Sequence, residues 1–102
     1  MALIQSAIKK SYQRQTHIKL TMMTTLNKLK ENQICIVKQV KIIGELKYRL
    51  FDMGIIPNTK IKLIKNAPLG DPMKIELREY DLSIRKEIAE KIDVEVILWY
   101  LH

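Results

Sequence analysis

Residues 49–72 read RLFDMGIIPNTKIKLIKNAPLGDP, and the rest of the chain arranges itself around them. They contain Gly54 and Gly70, two of the three glycines, and Pro57, Pro68 and Pro72, all three prolines. Leu50 and Met53 have the spacing of a last helical turn. Gly54 stands just past its end, where a residue at positive φ commonly stops a helix. Pro57 and Asn58 fit the two central positions of a type II turn: proline presets φ at the first, and asparagine tolerates positive φ at the second. From Thr59 to Lys65 the sequence alternates, with Ile61 and Leu63 on one face and Lys60, Lys62 and Ile64 on the other, the pattern of a half-buried strand. Residues 67–72 hold two prolines and a glycine, so they form a shaped loop rather than regular structure. Helix end, tight turn, strand and rigid loop make a structural unit with no catalytic set in it.

The totals bound what surrounds this unit. At 102 residues the chain is one domain at most. No apolar run approaches the roughly 18 residues that a membrane-spanning helix needs, and the first residues lack the continuous apolar core of a secretory signal. Cys35 is the single cysteine, so no internal disulfide forms and a reducing, cytoplasmic setting is the default expectation. The formal charge is +7. Residues 1–25 supply Lys9, Lys10, Arg14 and Lys19 with no acid, while the remaining 14 basic and 11 acidic side chains leave +3, mixed along the chain. A basic tail on a nearly balanced domain differs from a domain with a basic face.

Residues 1–25 read as an N-terminal extension, either a tail or a weak basic helix built on Leu3, Ile4, Ala7 and Ile8. Residues 26–102 read as the folded domain. Within it, residues 26–33 are a turn region in which Asn32 suits a left-handed conformation, and Ile34 to Val40 is a strand rich in β-branched residues. Cys35 inside that strand is a small apolar packing residue. Gly44 opens a helix from Glu45, with Leu46, Leu50 and Met53 as its apolar stripe and Lys47, Tyr48 and Arg49 facing elsewhere. After the central loop, Met73 to Glu79 and Tyr80 to Ile84 alternate and form a hairpin, although Glu79-Tyr80-Asp81 lacks a turn glycine. Residues 85–92 read as a short helix with Ile88, Ala89 and Ile92 inward, and Val94 and Val96 mark a last strand. The apolar ending, Ile97 to Leu101, either completes the fold or forms a dimer contact. About five short strands with one or two short helices bury themselves best as a small antiparallel barrel, which removes exposed edges. The fold class is mainly β.

Chemistry is sparse. The two histidines, His17 and His102, lie near no nucleophile in pattern, paired carboxylates occur only as solvated strings, and no metal-ligand spacing is present. Leu69-Gly70-Asp71 is a single glycine without the lysine of a phosphate loop. Asp71 follows a glycine and precedes a proline, so its side chain is expected to accept backbone N–H bonds and fix its own loop. No cofactor is expected.

Three segments together, Leu50 to Thr59, the Ala67-Pro68-Leu69-Gly70-Asp71-Pro72 loop, and Leu82 to Ala89, resemble the ferrous-iron transport protein A (FeoA) family over about residues 26–96. The resemblance implies an SH3-like barrel that is not an enzyme. It also implies a role in the bacterial cytoplasm with the membrane ferrous-iron transporter B and its cytosolic GTPase domain. Asn32 and Asn58 stand where that family usually has glycine, Glu79 replaces its usual hairpin glycine, and the N-terminal extension and the Trp99-Tyr100 ending are not typical of it. Candidate partner-binding residues are Tyr48 and Arg49 on the helix and Pro68, Leu69, Gly70, Asp71 and Pro72 in the loop, while Gly54, Pro57 and Asn58 shape the turn. The same barrel occurs at the C-terminus of metal-dependent repressors of the diphtheria-toxin-repressor type. That leaves, as alternatives, a stand-alone relative of that domain or a basic nucleic-acid-binding module. Nucleic acid is the weaker expectation, because the aromatics are scattered rather than interleaved with basic residues.

Overall fold

The computed structural model describes residues 18–101. Six strands and two short helices follow one another as β1 (Ile18–Thr25), a single 3-10 turn (Leu26–Lys28), β2 (Ile34–Val40), α1 (Glu45–Asp52), β3 (Lys60–Asn66), β4 (Met73–Leu77), β5 (Tyr80–Ile84), α2 (Lys86–Ala89) and β6 (Ile92–Leu101). The strands form one antiparallel sheet in the order β1-β6-β2-β3-β4-β5.

Alternation along each strand decides what is buried. In β3 the inward residues are Ile61 and Leu63, in β4 Met73, Ile75 and Leu77, in β2 Cys35, Val37 and Val40, and in β6 Ile92, Val94 and Val96. Leu26, Leu29, Ile42, Leu50, Ile55, Ile84 and Ala89 complete one continuous core, with Phe51, Met53, Leu82 and Ile88 packed against it. The 3-10 turn and α2 pack together over one part of that core. All eighteen core residues are apolar, so hydrophobic burial alone selects the inward face of each strand.

The Gly54 segment has the geometry of a Schellman stop. The N–H of Ile55 donates to the carbonyl of Leu50 at 2.9 Å, and the N–H of Gly54 to that of Phe51 at 2.9 Å, while Gly54 sits at φ +97°. Ile55 and Leu50 are both buried, which supplies the apolar contact that accompanies this motif. The next turn closes with the N–H of Thr59 donating to the carbonyl of Ile56 at 3.1 Å, around Pro57 and Asn58 at φ +75°. Two further bonds sew it onto β2: Asn58 N–H to the Val37 carbonyl at 2.7 Å and Val37 N–H to the Thr59 carbonyl at 2.9 Å.

Several expectations are corrected. The boundary at residue 26 falls too late, because β1 pairs with β6 from Ile18↔Leu101 to Thr25↔Asp93; the part of the extension before Ile18 lies outside the described residues. The strand character of Ile18–Thr25 comes from a partner more than 60 residues away, which local pattern does not carry. Among the described residues the strands number six, where about five were expected. Among the described residues the ladder ends on β1 and β5. The last strand reaches Leu101 instead of stopping near Val96, so the apolar ending extends β6 against β1. Ile92 is buried as expected but opens β6 instead of closing α2. Leu46 is 38% exposed, leaving Leu50 as the buried residue of α1. In the β4–β5 hairpin the two-residue turn places the positive φ (+55°) on Arg78, not on Glu79.

Candidate functional site

The loop between β3 and β4 is held at its base and open at its tip. The N–H of Ala67 donates to the Pro72 carbonyl at 3.0 Å, and that of Gly70 to the Ala67 carbonyl at 2.6 Å, with Gly70 at φ +87°. These bonds and the two prolines hold Leu69 outward, 97% exposed, beside exposed Pro68. Asp71 accepts a backbone N–H as expected, but from outside its own loop: its Oδ1 takes that of Lys86 at 3.0 Å. Lys86 is the first residue of α2, whose leading N–H groups have no partner inside the helix. The carboxylate supplies one from fifteen residues upstream, so the loop and α2 are tied together. Arg85, Asp71 and Pro72 line a shallow depression of about 320 Å³ beside this junction.

Tyr48 (68% exposed) and Arg49 lie on the outer face of α1. Among the described residues no hydrogen bond, ion pair or common depression joins them to the loop. Lys47 lies 5.7 Å from the ring centroid of Phe51, a cation–π contact within the same helix. Gly54, Pro57 and Asn58 occupy the turn described above. Cys35 is fully buried, and loss of solvation pushes its thiol from 9.0 up to about 12, which keeps it protonated and unreactive near neutrality. Among the described residues no group of three or more His, Cys, Asp or Glu gathers as a metal site would require.

A second feature escaped the reading of the sequence. On the outer face of β2, β3 and β4 an open groove of about 640 Å³ is lined by Ile34, Pro57, Lys60, Lys62, Glu76 and Arg78, among others. Its signal was present in the lysines opposite Ile61 and Leu63, but an alternating strand gives no hint that neighbouring strands and a turn raise walls around them.

Comparison with known proteins fits this architecture. The FeoA domain model matches residues 24–96. The chain is 32% identical over 72 residues to a Fe(2+) transport protein A/Fe(2+) transporter FeoB fusion protein of Porphyromonas gingivalis, covering 71% of this chain and 8% of that protein. It is 33% identical to a Fe(2+) transport protein A of Campylobacter jejuni, covering 72% of this chain and 99% of that one. Among solved structures, a FeoA-like protein from Clostridium acetobutylicum superposes with a TM-score of 0.70 at 35% identity, over 81% of this chain and 96% of that one. The SH3 domain protein FeoA of Stenotrophomonas maltophilia, complexed with zinc, shares the fold at TM-score 0.62 and 19% identity, over 70% of this chain and 88% of that one. The manganese regulator SloR likewise shares only the fold, at TM-score 0.61 and 18% identity, over 70% of this chain and 33% of that one. With strands β2 to β5, the Gly54 stop and the Ala67–Pro72 loop all within the matched span, the chain belongs to the FeoA family of ferrous-iron transport proteins.

Proposed function

We propose that this chain is a non-enzymatic accessory module of bacterial ferrous-iron uptake. It acts by docking on the cytosolic GTPase region of the membrane ferrous-iron transporter B, at the inner face of the membrane. The observation that carries the reading is the Porphyromonas gingivalis relative, in which a domain similar to this one shares a polypeptide with the transporter. A fusion holds two partners at high effective concentration, which serves a weak, functional contact. No helix among the described residues is long and apolar enough to cross a membrane, in keeping with a domain that reaches the transporter through protein contact.

The loop of residues 67–72 is the leading contact. Leu69 is presented on a backbone restrained by Pro68, Pro72 and the Asp71–Lys86 bond, so little conformational freedom is lost when it enters a partner's pocket. Tyr48 and Arg49 on α1 are secondary candidates. The test is titration of the chain against the purified GTPase region, without nucleotide, with GDP and with a GTP analogue. Binding that Leu69→Asp or Arg49→Glu weakens while the thermal transition is unchanged supports the module. No binding up to about 1 mM, beyond which a complex has little specificity, sinks docking on that region.

A further inference from the structure

We infer that the groove on the outer face of β2, β3 and β4 is a docking channel for an extended acidic peptide. This goes beyond the transport reading and does not depend on it. The groove has an apolar floor of Ile34 and Ile56, both half-buried, and cationic walls made by Lys60, Lys62 and Arg78, against one acid, Glu76. The described residues contain three ion pairs, Lys38–Glu95, Lys41–Asp93 and Lys74–Asp81. None involves a groove residue. Lys62 and Glu76 face each other in the β3–β4 register, yet no ion pair forms between them. Three cations thus border one channel with no carboxylate of the described residues bound to any of them.

Arg78 is held in place by a strained backbone and by packing against the Gly54 segment. Its backbone is at φ +55°, where a side chain is strained. Its guanidinium also lies over Gly54: a Cβ there would stand 3.6 Å from Nε and 3.7 Å from Cζ. These are ordinary van der Waals distances, so the guanidinium packs against the Gly54 backbone. A guanidinium held in this way presents its planar fork to a carboxylate more readily than a free lysine does. Peptide fits better than nucleic acid because no aromatic ring lines the groove to stack a base, whereas the apolar floor accepts an aliphatic side chain between two acidic ones. Crossing three strands spaced about 4.8 Å apart takes roughly 10 Å, so a peptide of about eight residues is ample.

The test uses the full chain and a fluorescein-labelled peptide of that length containing glutamate, aspartate and a central Leu-Pro. Its amide analogue (glutamine and asparagine) and a single-stranded oligothymidine of equal length serve as controls, and binding is read by anisotropy at low and at physiological salt. The expected result is a sub-millimolar Kd for the acidic peptide that weakens with salt. Lys60→Glu or Arg78→Glu should weaken it at least about fivefold, and Lys91→Glu, a charge reversal on an exposed residue outside the groove, less than about twofold. Amide chemical shifts of Lys60 and Lys62 locate the site even if Arg78→Glu fails to fold. Absence of binding up to about 1 mM, equal loss with Lys91→Glu, equal affinity for the amide analogue, or tighter binding of the oligothymidine would each overturn the proposal.

Discussion

Replacing Gly54 by alanine tests the joint between the helix stop and the β4–β5 hairpin. Two costs enter. The residue is at φ +97°, where an L side chain is strained by roughly 1–2 kcal/mol. The new methyl would also stand 3.3 Å from Leu77 Cδ1, a close approach to a side chain that is itself fully packed; crowding of that kind adds about 1 kcal/mol. Against this, alanine restricts the unfolded chain and returns about 0.4–1 kcal/mol. The net is a loss of about 1–3 kcal/mol, and for a domain of this size each kcal/mol lowers Tm by roughly 4–8 °C. Urea and thermal melts followed by circular dichroism measure it. Gly44→Ala is the internal control: Gly44 is at φ +81° with nothing within 4 Å of an added Cβ, so it reports the backbone strain alone. The two variants should differ by the Leu77 contact, and Leu77→Val, which removes the atom concerned, should be less than additive with Gly54→Ala. Equal losses for Gly54→Ala and Gly44→Ala, or strict additivity with Leu77→Val, would refute the claim that Gly54 is required by close packing.

Asp71→Ala should cost about 0.5–1.5 kcal/mol through loss of the Lys86 N–H acceptor, with Asp71→Asn retaining most of it, as read by urea melts and by hydrogen exchange at the Lys86 amide. Burial raises the Cys35 thiol from 9.0 to about 12, so the unfolded chain releases this proton first as pH rises and stability falls between those values. By pH 10.5 the loss is about 2 kcal/mol, seen as a steeper alkaline decline than in Cys35→Ala. Arg78→Gly relieves the strained φ but adds glycine's entropy cost of roughly 0.5–1 kcal/mol. Melts should therefore show stability unchanged or raised by up to about 1 kcal/mol, while anisotropy shows acidic-peptide binding weakened.

The legible part of the fold was the part dictated by local stereochemistry. Gly54, Pro57, Asn58 and the alternation of Lys60 to Lys65 each constrain a few backbone angles at known positions, and those constraints place helix end, turn and strand within a residue or two. The β1 strand was illegible for the opposite reason. Leu20, Met22 and Met23 are exposed, so the segment lacks a clean inward face, and its partner Ile92–Leu101 lies at the far end of the chain. The hairpin turn falls between these cases: a hairpin followed from the tight join, but its place at Arg78-Glu79 and the residue carrying positive φ did not, because neither arginine nor glutamate favours that conformation. At the loop, a polar role for Asp71 was readable from its neighbours, while its partner Lys86 was not, since the bond spans fifteen residues.

The two features that resisted reading meet at one place. A two-residue hairpin turn with positive φ at its first central position favours glycine there, and the chain uses Arg78 instead, at a backbone cost of roughly 1–2 kcal/mol. The buried apolar ladder of Met73, Ile75 and Leu77 already fixes the register of β4, so this turn is imposed by the strands and the strained residue need not favour it. A position freed in this way from specifying the fold can carry a side chain chosen for other reasons. The Arg78 guanidinium then packs against the helix stop, its Nε and Cζ 3.6 and 3.7 Å from where a Cβ on Gly54 would stand. A strained backbone and this packing thus hold a cation in the groove that Lys60, Lys62, Ile34 and Ile56 also line. Packing alone would favour glycine at 78 and has no use for three like charges along one channel, whereas binding an anionic chain needs both.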